Sequence, residues 1–410
     1  ESSKDIVFGG HCLISECGQT LAEGDRFSFD EQIIIADIDA DKIRHDRAQN
    51  KTFANAPRHD HFKVSSLSTS LKPIESLSRP FAKHPFVPTS MREFDSRAQE
   101  ILNIQSTGLA RRMVSANTEK LVIGLSGGLD STLAFLVCLE TLKSQAIEQK
   151  NLIAVTLPGP GTSEHTLQSV HELTESVDVK VREIKIHTAV KQHLSDIEHS
   201  GNTDTVFENA QARERTQVLF DLANQEGGIV VGTGDLSELA LGWCTFNADQ
   251  MSNYNVNVSV PKTMITYLVE WYSKHKASKN LALALKRVVD TPISPELIPP
   301  EQGQIQQRTE EVIGPYELHD FFIYHFLRNG SSPTKIFHLA KLAYKEKYSK
   351  KEIQKWMKLF FERFFSQQFK RTTLPPGPKI GSVSLSPRGD WRMPDEASVT
   401  IYTKEIEALT

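Results

Sequence analysis

The stretch LVIGLSGGLDS, residues 121–131, joins an apolar run to a glycine-bearing turn with two hydroxyls and one carboxylate. The run predicts a buried parallel strand, and STLAFLVCLETL (131–142) has the apolar spacing of a helix. Where a strand, a tight loop and a helix N-terminus meet, free backbone N–H groups converge on an anion. The stretch therefore predicts a phosphate site at the carboxyl end of a strand in an α/β fold.

The loop residues suit a polyphosphate with its magnesium. Gly127 and Gly128 permit close backbone approach and positive φ. Ser126 and Ser131 can donate to phosphate oxygens, and Asp130 can hold Mg²⁺. The loop is not a Walker A box, because its spacing is short and no lysine precedes the final hydroxyl. An ordinary glycine turn is the alternative, and six consecutive fitting positions argue against it.

Composition restricts the class of protein. The chain has 410 residues, enough for two or three domains, and a net charge of −4 with mixed charges, which argues against nucleic acid as a partner. No run of about 18 apolar residues predicts a membrane span. The four cysteines are too few and too irregularly spaced for a disulfide framework or a zinc site, which is typical of the cytoplasm. The chain begins at Glu1, and we expect it to be cut from a longer protein.

Four apolar runs alternate with helical sequence and predict a doubly wound parallel sheet with a helical C-terminal region. They are LVIGL (121–125), LIAVTL (152–157), VKVREIKI (179–186) and GIVVGT (228–233). Ligands bind such sheets at the carboxyl ends of the strands. A helix is predicted before them, over 91–114, and three long helical patterns after them. The Pro/Gly/Ser-rich stretch 374–394 is predicted to be irregular.

The N-terminal part has a different character. Residues 1–45 contain strand-like runs joined by polar turns, DIVFGGHCLIS and EQIIIADID among them, and predict an antiparallel β-piece too small to bury a core alone. From 46 to 88 the composition shifts to Ser, Pro, His and Lys, which indicates a linker or an extended crossing segment.

A second polar cluster follows the fourth predicted strand in GTGDLSELALGW (232–243), where Thr233, Asp235, Ser237 and Glu238 crowd the start of a helix. Glu238 would then face the phosphate loop and join Asp130 as a metal ligand. The alternative makes Glu238 a first-turn residue favoured by the helix dipole. The amide-rich segment 246–257 fits either a polar ligand or turns whose backbone its side chains satisfy.

A polyphosphate loop with two carboxylates and no Walker lysine suits cleavage between the α and β phosphates, with pyrophosphate leaving. AMP would pass to an acceptor carboxylate or amide oxygen and be displaced by a nucleophile. Such a reaction needs no protein nucleophile, and the sequence presents no recognisable Ser–His–Asp or Cys–His set.

SGGLDS resembles the signature of the PP-loop ATP pyrophosphatase group, and the rest of the chain resembles glutamine-dependent NAD synthetase. The segments that carry the resemblance lie in order over most of residues 80–395. They are PGPGTSEHT, FENAQARERTQ, GTGDLSELALGW, DQMSNYNVN with SVPKT, DTPISPEL, GPYELHDFF, FFSQQFKR and GPKIGSVSLSPRGDWRMP.

The resemblance implies an adenine nucleotide α-hydrolase-like fold and a reaction with ATP as co-substrate and Mg²⁺ as cofactor. Nicotinic acid adenine dinucleotide (deamido-NAD) would be adenylated on its carboxylate, and ammonia would then give NAD, AMP and pyrophosphate, the final step of NAD biosynthesis. Asp130 and Glu238 would be the catalytic and metal-binding carboxylates. ATP would contact Ser126, Gly127, Gly128, Leu129, Asp130, Ser131 and Thr233. Deamido-NAD would contact Asn209, Glu238, Trp243, Cys244, Thr245, Phe246 and Lys370.

The resemblance also divides the chain. Residues 1–55 look like the C-terminal part of a nitrilase-like glutaminase domain, 56–88 like a linker, and 89–410 like the NAD synthetase domain. In the family a Glu–Lys–Cys triad precedes the position of residue 1, and Cys12 and Cys17 do not match its cysteine motif. We therefore expect this chain alone to use free ammonium, and the full-length protein to take ammonia from glutamine. The family pairs synthetase domains, which implies at least a homodimer.

Three other functions remain as alternatives, and the first is another PP-loop amidotransferase. A tRNA-modifying thiolase of the PP-loop group would use paired cysteines and a basic RNA surface, and the sequence predicts neither. A regulatory module would bind ATP without releasing pyrophosphate, but it would not need both Asp130 and Glu238.

Overall fold

The computed structural model describes residues 4–56, 63, 65–66, 68, 77–79, 81–88, 90–291 and 309–409. Its centre is a five-stranded, wholly parallel sheet. In chain order its strands are β3 (Leu121–Gly124), β4 (Leu152–Thr156), β5 (Val181–Glu183), β6 (Ile229–Gly232) and β7 (Tyr254–Asn255). Their spatial order is β5-β4-β3-β6-β7, so the chain leaves β3 on one side toward β4 and later returns on the other side as β6.

The predicted doubly wound α/β fold is confirmed, with one strand shorter than expected. The run 179–186 predicted a full strand, but β5 contains three residues at the edge of the sheet. Arg182 and Glu183 are exposed there, so little apolar burial supports a longer strand. β7 extends the opposite edge and pairs with β6 through Tyr254 and Asn255.

Alternation along the strands divides the core into two faces. Leu121 and Ile123 point into a cluster that includes α3 (Met91–Ser115), α4 (Leu129–Ser144), α5 (Glu164–Glu175), α9 (Lys262–His275) and α10 (Lys279–Asp290). Val122 points into the opposite cluster with α6 (His187–Asp196) and α7 (Thr205–Glu226). This period of two, with both faces covered by helices, is what a buried parallel sheet requires.

A second body of helices follows the sheet, as predicted, and encloses its own aromatic-rich core. It contains α11 (Thr309–Ile313), α12 (Tyr316–Ile323), α13 (Pro333–Ala343), α14 (Lys350–Ser366), α15 (Gln368–Thr372) and α16 (Thr400–Glu407), and α8 (Leu236–Leu241) joins it from the sheet side. A π-helical turn, Tyr324–Arg328, extends α12, and a 3₁₀ turn, Gln149–Asn151, precedes β4. Residues 374–394 contain neither helix nor strand, which confirms the predicted irregular stretch.

The predicted antiparallel β-piece over 1–45 is confirmed as one small hairpin, but the prediction of a further strand over 31–39 is wrong. In the described part of this segment, β1 (Leu13–Glu16) and β2 (Gln19–Glu23) form one antiparallel hairpin, and EQIIIADID is not a strand. Ile33 and Ile35 are 88% and 73% exposed, and a strand needs a hydrogen-bonded neighbour that this run does not have among the described residues.

The composition shift at residue 46 likewise does not begin an irregular linker. The helices α1 (Ala40–Gln49) and α2 (Lys51–Ala54) continue through it, and most of 56–88 lies outside the described residues. Asp39 caps α1 by accepting from Lys42 N at 3.0 Å, and its carboxylate also pairs with Lys335 on α13. The N-terminal segment is therefore fastened to the helical body. None of the helices in the described part of the chain combines the length and apolar character needed to span a lipid bilayer.

Candidate active site

The phosphate loop is shaped as the sequence predicted. Gly127 has φ +79°, and a Cβ there would lie 2.7 Å from the carbonyl oxygen of Thr166, so this position requires glycine. Gly128 is the N-cap residue of α4. The Ser126 and Ser131 hydroxyls lie 3.2 Å apart, and Ser131 Oγ donates to the Gly128 carbonyl at 3.1 Å. Both hydroxyls thus lie at the N-terminus of a sixteen-residue helix.

Three carboxylates meet beside this loop. Asp130 lies in the first turn of α4, while Asp235 is the N-cap residue of α8 and accepts from the Glu238 backbone N–H at 2.8 Å. Each of the three acids offers an oxygen within 4.8 Å of the others. The structure thus brings together Asp130 and Glu238, as predicted, because both follow the carboxyl ends of the neighbouring strands β3 and β6.

A buried lysine that the sequence reasoning missed lies between these acids. The Nζ of Lys262 is 2.6 Å from Asp130 Oδ2, 2.8 Å from Asp235 Oδ2 and 3.0 Å from Glu238 Oε1. Lys262 is the first residue of α9, directly after Pro261 in the segment SVPKT. Its one sequence signal was membership of that segment, which says nothing about its partners.

The charges of this cluster are strongly coupled. Burial, and then repulsion by Glu238, raise the pKa of Asp235 well above its usual value. Burial raises the pKa of Glu238 to about 7, although the nearby Lys262 ammonium opposes the shift. Burial alone would lower the pKa of Lys262, but the surrounding carboxylates hold it well above its usual value. Lys262 therefore stays positively charged. Its single charge cannot balance the three neighbouring carboxylates when all of them are ionised.

The residues predicted for deamido-NAD gather at the other end of α8. Thr245 Oγ1 donates to Asn209 Oδ1 at 2.8 Å, and Lys370 Nζ donates to the Cys244 carbonyl at 2.7 Å. Phe246 is exposed, with its ring 5.4 Å from that of Phe369.

Trp243 follows the C-cap glycine of α8, and its ring lies under the Arg363 guanidinium at 5.2 Å. α8 has six residues, so about 9 Å of helix separates this group from Asp235, whereas the Trp243 backbone N–H donates to the Glu238 carbonyl at 2.8 Å. The structure therefore places all the predicted substrate-side residues around one short helix, with Glu238 in its first turn.

The amide-rich segment serves the backbone, which was the second of the two interpretations. Asn253 Oδ1 accepts from Val230 N at 2.7 Å, and Asn255 Nδ2 donates to the Gly234 carbonyl at 2.9 Å. Asn257 Nδ2 donates to the carbonyls of Asp130 and Thr233, at 2.9 and 3.1 Å. Asn257 thereby ties the phosphate loop to the end of β6, where Thr233 lies.

Comparison with known proteins agrees with this geometry. The NAD synthase family profile matches residues 101–371. The glutamine-dependent NAD(+) synthetase of Mycobacterium leprae is 38% identical over 99% of this chain and 64% of its own length. That of Thermotoga maritima is 26% identical over 95% of this chain and 62% of its own length.

The fold agrees as well. The crystal structure of a glutamine-dependent NAD(+) synthetase from Cytophaga hutchinsonii superposes with a TM-score of 0.61 at 18% identity, over 76% of this chain and 56% of that one. The chain spans less than two thirds of the length of each of these relatives. The profile match covers the sheet, the phosphate loop, the carboxylate cluster and Lys370, and the chain belongs to the NAD synthase family.

Proposed function

We propose that this chain carries a synthetase site that amidates nicotinic acid adenine dinucleotide at the expense of ATP, giving NAD, AMP and pyrophosphate. The observation that carries the proposal is the meeting of the phosphate loop with a carboxylate–lysine cluster at the carboxyl edge of the sheet. A glycine loop at a helix N-terminus supports polyphosphate chemistry there, and the family of the chain supports the substrate.

The phosphates of ATP would lie against the loop. The first N–H groups of α4 have no partner within the helix, and its dipole favours an anion at that end. Gly127 allows the loop to lie close to Thr166. Because Gly128 has no side chain, a phosphate oxygen could approach its backbone closely. Ser126 and Ser131 would donate their hydroxyls, and the backbone of Leu129 and Asp130 would complete the cradle. Thr233, at the end of β6, would contact ATP from the adjoining strand.

The carboxylate cluster fits a magnesium ion. Asp130 Oδ1 is buried and has no hydrogen-bond partner in the described part of the chain, so a ligand oxygen is free. The three acids and Lys262 carry a net charge of −2 when all are ionised, which a divalent cation would balance. Asp130 and Glu238 would hold the ion, with Asp235 behind them. Bound Mg²⁺ would neutralise charge on the phosphate oxygens.

The reaction would proceed in two steps. A carboxylate oxygen of the nicotinate attacks the α-phosphorus of ATP, and the bond from that phosphorus to the bridging oxygen of pyrophosphate breaks. Ammonia then attacks the acyl carbon, AMP leaves with the carbon–oxygen bond electrons, and the nitrogen gives up one proton to the solvent. Lys262 would stabilise negative charge on the phosphates in the first step, because its ammonium is held beside Asp130 and Glu238. The N–H groups of α4 would stabilise the departing pyrophosphate.

The group at the far end of α8 would bind deamido-NAD. Trp243, Cys244, Thr245 and Phe246 form a continuous segment that Lys370 holds by its ammonium and Asn209 by its amide. The exposed ring of Phe246 would stack on a flat heterocycle, while Asn209 and Thr245 would bond its polar edge. Glu238 would reach the same substrate from the first turn of α8.

The proposal extends to the supply of ammonia and to assembly. The named relatives are glutamine-dependent, and we propose that the full-length protein takes its ammonia from glutamine, whereas this chain alone uses free ammonium. We also propose at least a homodimer, to be checked by sedimentation equilibrium, and a cytoplasmic location, which the four free cysteines favour.

The test is pyrophosphate release by residues 1–410 with ATP, Mg²⁺ and ammonium chloride, with and without deamido-NAD. We expect pyrophosphate release only when deamido-NAD is present. Glutamine in place of ammonium chloride should support little turnover by this chain. Asp130→Asn and Glu238→Gln should each lower the rate by about 100-fold or more. Glu100→Gln, at an exposed position of α3, should leave the rate unchanged. Release without deamido-NAD, or unaltered rates in both site variants, would contradict the proposal, and ATP binding without turnover would indicate the regulatory module.

A further inference from the structure

The inference concerns a buried carboxylate that lies outside the proposed site. Asp320 is on α12 in the helical body and has no solvent exposure. Its Oδ2 accepts from the Thr263 backbone N–H at 2.9 Å and from the Thr263 hydroxyl at 2.6 Å. Its Oδ1 accepts from the Ser237 hydroxyl, which is also fully buried.

Both partners of Asp320 are sequence neighbours of site residues. Ser237 precedes Glu238 in the first turn of α8, and Thr263 follows Lys262 in the first turn of α9. Ser237 Oγ also accepts from the Lys262 backbone N–H at 2.9 Å. The Asp320 carboxylate therefore links the first turn of α8, which carries Glu238, to the first turn of α9, which carries Lys262.

This connection is strong and local. Hydrogen bonds to an ionised carboxylate are about twice as strong as neutral ones, and a buried carboxylate left without donors would cost several kcal/mol. Each of its donors is a group on the first turn of α8 or α9, so a shift of either helix start would break at least one bond. Lys262 Nζ is within 3.0 Å of Asp130 and Glu238, a distance that a small shift would destroy.

We propose that Asp320 is a positioning residue for the amidation reaction, setting the Lys262 ammonium against Asp130 and Glu238 through Ser237 and Thr263. The inference rests on the proposed function, because that function gives Lys262 its role. In the described part of the chain, the side-chain hydrogen bonds of Asp320 go to Ser237 and Thr263 and not to Lys262 Nζ or the cluster carboxylates, so its remaining link to Lys262 is the attraction between their charges. Its loss should therefore lower kcat by misplacing Lys262, while substrate contacts elsewhere keep KM nearly unchanged.

A double-mutant cycle separates this role from a merely structural one. Pyrophosphate release is measured for the wild type, Asp320→Asn, Lys262→Gln and the double variant, all on residues 1–410. We expect Asp320→Asn to lower kcat about 10- to 100-fold, with KM for ATP and deamido-NAD changed less than about 3-fold. In the Lys262→Gln background the same change should cost less than about 2-fold, because the group it positions is gone.

A stability control accompanies the cycle. Met357→Ala opens a cavity in the hydrophobic core that α14 and α12 share, and Met357 is not among the described hydrogen-bond partners of Asp320. It should lower the thermal midpoint and leave kcat within about 2-fold of the wild type. Where Asp320→Asn does not fold, Thr263→Val takes its place, since it removes one hydroxyl donor and keeps the backbone donor. We expect Thr263→Val to lower kcat about 3- to 10-fold.

Equal losses from Asp320→Asn in both Lys262 backgrounds would overturn the inference, as would a loss in Met357→Ala that matches Asp320→Asn. If steady-state turnover of Lys262→Gln falls below detection, the cycle is measured on the single-turnover rate of pyrophosphate release with enzyme in excess over ATP, with the same criterion of non-additivity. A wild type that releases no pyrophosphate in response to deamido-NAD contradicts the proposed function and the inference together. An active wild type with an additive cycle contradicts the inference alone.

Discussion

His319→Gln tests whether a buried neutral histidine makes the fold sensitive to acid. The His319 ring has no solvent exposure, its Nε2 lies 2.7 Å from the Ile313 carbonyl, and its face stacks on Phe360 with ring centroids 6.1 Å apart. Burial lowers the pKa of His319 from 6.5 to about 4. Nε2 must donate to the Ile313 carbonyl, and the neutral ring can do this with its single ring proton. A second proton, on Nδ1, would be buried without an acceptor among the described residues.

The magnitude follows from linkage between protonation and unfolding. Because the folded pKa lies below the unfolded value, the unfolded state binds more protons, and the contribution of His319 is complete above pH 6.5 and declines as the pH falls toward 4. With those two pKa values, the free energy of unfolding loses about 1.8 kcal/mol from this group between pH 7 and pH 5. The loss approaches about 3.4 kcal/mol well below pH 4.

Urea unfolding of the wild type and His319→Gln at pH 7 and pH 5 isolates this contribution from other titrating groups. Glutamine can keep the hydrogen bond to Ile313 and does not titrate. We therefore expect the free energy of unfolding of the wild type, minus that of His319→Gln, to fall by about 1.8 kcal/mol between pH 7 and pH 5. His187→Gln, at an exposed position of α6, is the control and should show no such change. A wild-type-minus-variant difference that is the same at both pH values would refute the reasoning.

Two further changes test the two ends of the proposed site. Gly127→Ala should destabilise the protein by about 1–3 kcal/mol in urea unfolding, because its φ is +79° and its Cβ would lie 2.7 Å from the Thr166 carbonyl oxygen. Gly128→Ala is the control, because its Cβ would meet only Ser126 Oγ, at 3.4 Å, and it should change the free energy of unfolding by less than about 0.5 kcal/mol. Equal losses in the two variants would contradict a specific requirement for glycine at position 127. Arg371→Met should lower the free energy of unfolding by about 3–5 kcal/mol, because the carbonyls of Leu239 and Ala240 would lose their buried donor. A loss below about 1 kcal/mol in the same assay would show that this contact is dispensable.

The part of the site that could be predicted from sequence is the part that depends on local signals and on strand direction. Residues 121–131 carry their strand, turn and helix start within one short segment, so β3, the Gly127 turn and α4 follow from spacing. The meeting of Asp130 and Glu238 also follows, because each residue comes after a strand of one parallel sheet and such strands end at one edge.

Lys262 and Asp320 could not be found in this way. Lys262 starts a helix that follows a long irregular segment, and its approach to the acids depends on how α9 packs against the rest of the core. Asp320 is 83 residues from Ser237 and 57 from Thr263 in the sequence, so its contacts with them are purely tertiary. The error over residues 31–39 has a similar origin, since an apolar run becomes a strand when a neighbour accepts its backbone hydrogen bonds, and composition does not reveal that neighbour.

The dependence of the site on α8 explains why residues far apart in the sequence belong to one constellation. A six-residue helix is too short to be stable alone, so its ends must be held by other elements. Asp320 bonds to Ser237 in its first turn, while Arg363 and Arg371 donate to the carbonyls of its last turn. Cations at that end also complement the helix dipole.

The C-terminal helices would therefore act on the proposed chemistry by holding α8 in position as well as through Lys370. α8 joins the carboxylate cluster at its N-terminus to the Trp243–Phe246 segment after its C-terminus, so a change in its tilt would move both proposed binding groups together. Lys370 donates to the Gly242 carbonyl at 2.8 Å and Arg363 to the Leu241 carbonyl at 2.9 Å. The sheet supplies the phosphate loop, but the distance between the two proposed substrates is set by the helical body.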